Sequence, residues 1–376
     1  MRTMIGLSEA TLGKEEEEAL VAVLRSGWLS QGDVTTAFEK AFAAMQNVPE
    51  GVAVGNATQG LHLAVAALGI GEGDEVLVPG VTFVAGANSV LYAGAKPVPV
   101  DIEAPRVPHM SLDDAKAKLT PRTRAVMLMH YGGYRMDIKA WTRFADIHGL
   151  LLIEDAAHTP GLPEVGGYSN AAVFSFFANK NMTCAEGGMI LTSDRELAER
   201  LRRLRGHAMT SQTLNRARGH AYSYDVTELG WNYRIDELRS ALGLAQMKKL
   251  PAWNARRGEL AALYRSLLAE RVQEVQVPFD AAHPSVHHLF PVCLPEYTDR
   301  ASLMKRLREE GVQSSIHYPP WHKFIWHSRL FPNLILPNTE WWCGHELTLP
   351  LHPGLCDEDV ERVVETLSRL LPECRK

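Results

Sequence analysis

The chain has 376 residues, of which 46% are hydrophobic and 22% are charged, and its formal net charge is -5. This length and composition predict a globular protein of two domains. A basic surplus, a polybasic run and an apolar run of about 18 residues are all lacking, so we expect neither nucleic-acid binding nor membrane attachment.

The first half of the chain alternates short apolar runs with helical patterns. After a helix at 15–26, the strands are predicted at 52–54, 75–78, 125–129 and 150–153, and the helices at 59–68, 85–93 and 137–148. Strands that alternate with helices in this way predict a doubly wound, mostly parallel α/β sheet flanked by helices.

In the second half of the chain, the pattern of predicted elements changes beyond Pro251. Helices are predicted at 195–204 and 235–250 before this point, and beyond it a strand at 289–293 precedes helices at 300–310 and 357–371. We therefore expect a large domain over residues 1–248, including the N-terminal helix, and a smaller α+β domain over residues 249–376.

The most informative residue is Lys180, which lies in a polar, glycine-containing turn between two short apolar runs. Each run is too short for a helix, so the segment predicts strand, turn and strand. A lysine held near a sheet end can lose its proton and attack a carbonyl carbon, as Schiff-base lysines do. Most lysines in turns are solvated surface groups, so this interpretation depends on the other motifs.

An acidic residue ends another predicted strand. Asp155 follows the apolar run 151–153 and would lie at the carboxyl edge of the sheet, where α/β proteins bind ligands. It could pair with a pyridinium nitrogen, with His158 beside the same ring; capping of the next turn is the alternative. Phe83, after another strand end, could stack on a flat cofactor or simply belong to the core.

Two loops are candidates for binding an anion. In the segment 54–61 a strand ends in a small-residue turn and a helix starts, which suits phosphate binding or plain capping by Asn56 or Thr58. The polar, aromatic loop 228–237 precedes a long helix, and Asn232 either caps that helix or binds an anion. The glycines of 69–73 run from helix into strand, the reverse of a dinucleotide fingerprint.

Cysteine and histidine patterns bear on compartment and metals. The five cysteines are scattered and odd in number, which argues against a disulfide framework or zinc knuckle. Since the N-terminus also lacks an apolar signal core, we expect a cytoplasmic protein. The densest histidine clusters, 287–288 and 317–327, lack metal-ligand spacing, and no metal is predicted.

Together these segments resemble the DegT/DnrJ/StrS family of sugar aminotransferases, which are fold-type I pyridoxal-phosphate enzymes. The resemblance runs from residues 26–32 to 347–351, nearly the whole chain. The segment 180–188 is similar to the region of the Schiff-base lysine in the branch that makes 4-amino-4-deoxy-arabinose on a nucleotide. The order and spacing of the motifs, rather than any one motif, carry the resemblance.

The resemblance implies a role for each matching residue. Lys180 would hold pyridoxal 5′-phosphate and move the proton between substrate and cofactor, while Asp155 pairs with the ring nitrogen. His158 would lie beside the ring and Phe83 would stack on it. The phosphate would be held by Ala57, Thr58, Ser175 and, from the neighbouring subunit, Asn232, which implies a homodimer with shared active sites.

The implied reaction transfers an amino group from an amino-acid donor, with glutamate expected, to a nucleotide-linked keto-sugar at C4. Three segments depart from the family pattern. The common Ser-Gly-Thr turn is Asn-Ala-Thr at 56–58, and the common His-Pro is Phe-Ala at 177–178. The segments 230–237 and 317–322 resemble branches other than the arabinose one, so the identity of the sugar stays open.

Two alternative functions are compatible with the same motifs. An enzyme of this fold could aminate a cyclitol ketone instead of a sugar. A non-catalytic regulator could also keep the fold, although intact Lys180 and Asp155 argue against that function. Assays of both ketone classes with glutamate separate these possibilities.

Overall fold

The computed structural model describes residues 4–211, 219 and 223–376. The helices in these residues are α1 (Lys14–Ser26), α2 (Asp33–Met45), α3 (Ala57–Ala67), α4 (Ala85–Tyr92), α5 (Leu112–Ala117), α6 (Ile138–His148), α7 (Arg195–Leu204), α8 (Glu237–Met247), α9 (Leu250–Arg271), α10 (Arg300–Glu309), α11 (Pro337–His345) and α12 (Asp357–Leu370). The strands are β1 (Glu50–Val54), β2 (Glu75–Pro79), β3 (Lys96–Val100), β4 (Ile102–Ala104), β5 (Val107–Met110), β6 (Thr123–Met129), β7 (Leu151–Asp155), β8 (Ala171–Ser175), β9 (Gly188–Thr192), β10 (Phe290–Cys293) and β11 (Glu346–Leu349).

Seven strands form one sheet in the order β1-β9-β8-β7-β6-β2-β3. The pairs β3–β2, β2–β6, β6–β7 and β7–β8 are parallel, whereas β9 is antiparallel to both of its neighbours. The connections β2 to β3, β3 to β6 and β6 to β7 contain the helices α4, α5 and α6, whereas residues 156–170 join β7 to β8 without a helix. The predicted α/β class with a mostly parallel sheet is confirmed.

Both faces of this sheet are buried. Successive side chains of a strand point to opposite faces, and in β8 they join two different hydrophobic clusters. Ala171 and Val173 pack with α3, while Ala172 and Phe174 pack with α2. The Phe174 ring meets Phe42 of α2 edge-on, with centroids 5.0 Å apart. Burial on both sides explains why the strands read as continuous apolar runs.

Most predicted elements are found within a few residues of their expected bounds. The prediction for 195–204 matches α7, which begins after Asp194, whose side chain accepts bonds from the N–H groups of Glu196 and Leu197. The helix predicted at 235–250 is shorter. It begins after Asp236, whose carboxylate caps it by accepting from Arg239 N at 2.9 Å.

Several elements have no counterpart in the sequence-based prediction: α2, β3, the β4–β5 hairpin, α5, α9, α11 and β11. β3 contains Pro97 and Pro99, which argue against a strand because proline lacks the N–H of a sheet ladder. β3 lies at the edge of the sheet, however, where one side of the strand needs no partner.

The C-terminal segment surrounds a hydrophobic cluster of its own. Side chains of α9, α10, α12 and the antiparallel pair β10–β11 form it, and Ile5 joins them through a bridge to Val312. Leu250, at the start of α9, packs instead in the cluster between the sheet and α2. The division into domains 1–248 and 249–376 remains a prediction. Among the described helices, none has the length and apolarity needed to cross a bilayer.

Candidate active site

The predicted site residues come from the carboxyl ends of neighbouring parallel strands. Asp155 is the last residue of β7 and Ser175 is the last residue of β8, and Phe83 follows β2 after a short turn. Parallel strands end at the same edge of a sheet, and this edge is where α/β proteins bind ligands. The fold therefore brings these residues to one edge although they are distant in sequence.

Lys180 lies in the turn that joins β8 to β9, and it is partly exposed. Its backbone N–H donates to the Phe177 carbonyl at 3.0 Å, which closes the turn. Loss of hydration lowers the pKa of the Lys180 ammonium to about 8, against the opposing effect of the Asp155 charge. A fully solvated lysine would be exposed and would keep its ordinary pKa, so the partial burial of Lys180 together with this shift disfavours the solvated-surface interpretation.

Asp155 is a buried carboxylate with one oxygen left unbonded. Its Oδ1 accepts from the backbone N–H of Ala157 at 3.1 Å, while Oδ2 accepts no hydrogen bond from any described residue. Burial raises the pKa of Asp155, and the Ala157 N–H and the Lys180 charge oppose this rise. A buried acid with a free oxygen is suited to a cationic partner.

His158 is buried and its tautomer is determined by its contacts. Its Nδ1 accepts from the backbone N–H of Gly132 at 3.1 Å, so in the neutral ring the proton is on Nε2. That proton points to the Tyr318 hydroxyl, 3.0 Å away. Burial lowers the pKa of His158 well below its usual value, with the Lys180 charge adding to the effect, so the ring is neutral at physiological pH.

A second layer of buried polar groups supports Lys180 and His158. Asn181 donates from Nδ2 to Asn254 and to the Val286 carbonyl, both at 2.9 Å. The Asn181 Oδ1 then accepts from His288 Nδ1 at 3.0 Å. The His288 ring packs on His158, with centroids 4.3 Å apart. One amide therefore holds both the turn of Lys180 and the ring behind His158.

The predicted phosphate turn lies at the start of α3. Asn56 caps this helix by accepting from Gln59 N at 2.9 Å, and neither Ala57 N nor Thr58 N donates to a described residue. Free N–H groups at a helix N-terminus attract anions. Gly188 of β9 passes so close that an added Cβ would lie 2.8 Å from the Asn56 carbonyl carbon.

Ser175 and Phe83 are the remaining predicted site residues at this edge of the sheet. Ser175 is buried, and its Oγ accepts from Phe177 N at 3.4 Å. Phe83 is 52% exposed, and its ring centroid lies 5.7 Å from that of Tyr318. An aromatic side chain this exposed is not a core residue, which removes the core alternative for Phe83.

Asn232 is the predicted residue that the structure does not join to the others. It is exposed, and its side chain makes no hydrogen bond to another described residue. The backbone beside it is fixed, because Tyr233 O accepts from Gly55 N at 2.9 Å and Trp231 O accepts from His207 N at 2.8 Å. Asn232 does not cap α8, since Asp236 does.

Four residues of this region were missed as individual site residues: Asn181, His288, His317 and Tyr318. The histidines appeared in the sequence only as clusters without metal spacing. In the described residues no three His, Cys, Asp or Glu side chains are grouped to hold a metal ion. A cavity of about 720 Å³ beside Gly51, Arg203 and Met209 contains none of the predicted site residues.

The arrangement fits pyridoxal phosphate. An amine with a lowered pKa lies near a buried carboxylate that has a free oxygen, and unbonded N–H groups begin a helix at the same sheet. These features match an aldehyde-bearing, cationic ring with a phosphate group. Fold and site together define the class: a fold-type I enzyme that depends on pyridoxal phosphate. The chain belongs to the DegT/DnrJ/EryC1/StrS aminotransferase family, whose sequence profile matches residues 10–368.

Solved structures agree with this assignment. PseC of Helicobacter pylori, an aminotransferase involved in the biosynthesis of pseudoaminic acid, is 27% identical with a TM-score of 0.91, covering 99% of this chain and 100% of PseC. DesI, solved in the presence of its TDP-sugar product, is 31% identical with a TM-score of 0.86, covering 98% and 93%. NtdA of Bacillus subtilis, with bound cofactor PMP, is 29% identical with a TM-score of 0.87, covering 98% and 86%.

The family and these similar structures confirm the predicted family, fold type, enzyme class and cofactor. The chain is a pyridoxal-phosphate-dependent aminotransferase of a sugar-aminotransferase family. The regulator alternative is thereby disfavoured. The roles of the individual site residues remain predictions.

Proposed function

We propose that this aminotransferase moves an amino group from an amino acid, with glutamate as the donor, to the C4 ketone of a nucleotide-linked sugar. The observation that carries the proposal is Lys180, with its lowered pKa, near the buried Asp155 at the carboxyl edge of the sheet. DesI, solved with its TDP-sugar product, supports a nucleotide-linked substrate, and PseC supports amino-sugar formation.

When bound, pyridoxal phosphate supplies an electron sink that stabilises negative charge on the substrate carbon. Lys180 attaches the cofactor and transfers the proton at its Nζ. A pKa of about 8 favours this role, because a larger fraction of the amine is unprotonated near neutral pH than in an ordinary lysine. Asp155 pairs through its free oxygen with the ring nitrogen and keeps that nitrogen protonated.

The remaining residues bind and orient the cofactor. His158, neutral and fixed between Gly132 and Tyr318, would lie beside the ring, and Phe83 would stack on its face. Phosphate binding falls to the N–H groups and side chains at the start of α3 and to Ser175; these residues are Ala57, Thr58 and Ser175. The exposed Asn232 reaches the phosphate of a neighbouring subunit, so the functional unit is a homodimer with shared sites.

The chain is proposed to work in the cytoplasm. Its five cysteines are all free, four of them buried, which fits a reducing compartment. Localisation of the tagged protein by cell fractionation tests this point, and recovery outside the cytoplasm contradicts it.

Two experiments test the proposed function. The purified protein should be yellow, and borohydride should fix the cofactor to a peptide that contains Lys180; a Lys180→Arg variant is the labelling control. A panel of nucleotide 3-keto- and 4-keto-sugars, with a cyclitol ketone as the comparison, should then show glutamate-dependent amination of a 4-keto-sugar. Preference for a 3-keto-sugar or for the cyclitol contradicts the proposed substrate, and labelling elsewhere contradicts the role of Lys180.

The homodimer and its shared site have a separate test. The chain should elute as a dimer on a sizing column with light-scattering detection. An inactive Lys180→Ala chain mixed with an inactive Asn232→Ala chain should regain part of the activity, because one site of each mixed dimer is intact. A monomer, or no complementation after subunit exchange has been verified, contradicts the shared site.

A further inference from the structure

Behind His317 a short chain of hydrogen bonds leads to a buried carboxylate. His317 Nδ1 lies 2.8 Å from Thr348 Oγ1, and Thr348 Oγ1 is hydrogen-bonded in turn to Glu346 Oε1. Both Thr348 and Glu346 are buried on β11. The other carboxylate oxygen, Oε2, accepts from the backbone N–H of His317 at 2.8 Å. Glu346 therefore fixes the main chain of His317 and is linked to its ring.

The hydroxyl of Thr348 has a single hydrogen, so the two hydrogen bonds that join His317, Thr348 and Glu346 can have only two sets of directions. With Glu346 ionised, Thr348 donates to the carboxylate and accepts from His317 Nδ1–H, which leaves Nε2 as an acceptor. With Glu346 protonated, Glu346 donates to Thr348, and Thr348 donates to Nδ1, so the ring proton is on Nε2. The protonation state of Glu346 thus determines whether Nε2 accepts or donates.

Nε2, the other ring nitrogen of His317, is left for a group in the site, since the charge of Lys180 acts on this ring. This nitrogen makes no hydrogen bond to a described residue, and it is not fully buried. His317 lines a small cavity together with Asn179, His288 and Ser8. Burial lowers the pKa of His317 to about 4, and the charge of Lys180 adds to this effect. The ring is therefore neutral near pH 7 and able to pass a proton between its two nitrogens.

We propose that His317, Thr348 and Glu346 form a proton relay that serves the amino group of the substrate. A proton from the site binds Nε2, the proton on Nδ1 passes to the Thr348 hydroxyl oxygen, and the original hydroxyl proton passes to Glu346. One proton enters and one is stored, and the reverse sequence returns it. This inference rests on the proposed function in one respect: the proton comes from, and returns to, an amino group.

Amino transfer creates a need for such storage. The incoming amino acid must lose one proton from its ammonium before its nitrogen can attack a carbon, and the product amine must gain one to leave as an ammonium. A carboxyl that titrates near neutral pH can accept the first proton and supply the second. Burial raises the pKa of Glu346 to about 8, against the opposing bonds from Thr348 and the His317 N–H.

Several groups contribute to the potential at Glu346. Arg300 of α10 donates from Nη1 to the Glu346 carbonyl at 2.8 Å, and its charge lowers the pKa of the carboxyl. Four titratable groups on which the Glu346 charge acts are themselves neutral near pH 7: Tyr131, Tyr318, Cys293 and Cys343, each with a pKa raised mainly by burial. Within this set, Glu346 is the acid that changes charge near pH 8.

The relay is tested by the tautomer of His317. Nitrogen NMR of the full-length chain labelled with ¹⁵N-histidine distinguishes protonated from unprotonated ring nitrogens, and a His317→Gln variant assigns the signals. In the wild type the ring proton should move from Nε2 to Nδ1 as the pH rises through about 8. Glu346→Gln should hold it on Nε2 throughout, because the amide oxygen is needed to accept from the His317 backbone N–H, which leaves the amide nitrogen to donate to Thr348.

Thr348 supplies the matched pair of variants. Thr348→Val keeps the shape and removes the hydroxyl, so the exchange near pH 8 should disappear, whereas Thr348→Ser should retain it. A wild-type ring that keeps one tautomer between about pH 6 and pH 10, or an exchange that survives in Thr348→Val, overturns the relay. Thermal melting of each variant verifies that it is folded.

Activity measurements then separate the relay from the proposed substrate. Glu346→Gln and Thr348→Val should slow the half-reaction with glutamate about 10²-fold, with Thr348→Ser near the wild type. Tautomer exchange without amination of any keto-sugar contradicts the proposed function and leaves the relay intact. Amination with unchanged rates in both disabling variants contradicts the role of the relay in proton transfer.

Discussion

Asp155 and Lys180 influence each other's protonation across the edge of the sheet. Loss of hydration lowers the pKa of Lys180 to about 8, and the Asp155 charge limits that fall. Burial raises the pKa of Asp155, and the Lys180 charge limits that rise. Each group therefore keeps part of its charge because of the other, before any cofactor is bound. The pair is prepared to receive a cationic ring and an aldehyde.

Asp155→Asn should change the titration of Lys180 in a defined direction. Without the carboxylate charge, the pKa of Lys180 should fall below about 8 in the cofactor-free protein. The pH dependence of Lys180 modification by an amine-reactive reagent, read by peptide mass, measures it. Amino transfer should fall about 10²–10³-fold or more, since the ring nitrogen loses its anionic partner. Asp155→Glu is the control that keeps the charge, and an unchanged Lys180 titration in Asp155→Asn contradicts the coupling.

Lys180→Met should abolish amino transfer and yet stabilise the cofactor-free protein. The folded state holds Lys180 at a pKa of about 8, below its ordinary 10.5, so it disfavours the ammonium. Removal of the lysine should therefore raise the free energy of unfolding at pH 7. The gain should be complete below about pH 8 and should disappear as the pH rises through 10.5, where the lysine is neutral in both states. Urea unfolding at several pH values measures it, and a gain that does not depend on pH contradicts the cause.

The sequence indicated the class of sheet and the strand-end acid because both depend on local patterns. Asp155 follows an apolar run, and such runs mark buried parallel strands whose carboxyl ends share an edge. The turn with Lys180 was recognisable for the same reason. The contacts around His158 were not, since Gly132 and Tyr318 lie 26 and 160 positions away. A propensity or spacing rule carries no information over such separations.

β3 and Glu346 show two further limits of the sequence. Prolines argue against a strand, and only the order of the sheet shows that β3 is an edge. Glu346 lies next to an apolar stretch and looks like an ordinary acidic residue. Its importance comes from burial and from bonds to His317 and Thr348, which only the packed structure provides.

Tyr318→Phe should leave the Nε2–H of His158 without its acceptor. His158 is buried, so the unpaired donor should lower the free energy of unfolding by about 1–3 kcal/mol. The phenyl ring keeps the contact with Phe83, which separates the hydroxyl from the packing. Chemical denaturation measures the loss, and kcat and KM for the amino donor show whether the hydroxyl also acts on the substrate. Tyr92→Phe, an exposed tyrosine outside the site, is the control and should be neutral. Equal stability of the two variants contradicts the bond to His158.

Gly188→Ala should displace the start of α3, which contains the predicted phosphate turn. A Cβ at this position would lie 2.8 Å from the Asn56 carbonyl carbon and 2.9 Å from Ala57 N. Backbone atoms cannot rotate away as a side chain can, so β9 and the start of α3 must move apart. We expect a loss of about 1–3 kcal/mol in the free energy of unfolding.

The same displacement should weaken cofactor binding. The free N–H groups of Ala57 and Thr58 would shift relative to Ser175, and the affinity for pyridoxal phosphate, and for inorganic phosphate as a competitor, should fall together. Gly344→Ala is the matched control, because a Cβ there meets no atom within 4 Å and the residue lies in α11. That variant should keep its cofactor affinity and should be unchanged or slightly more stable. If Gly188→Ala binds the cofactor as tightly as Gly344→Ala, the start of α3 is not the phosphate site.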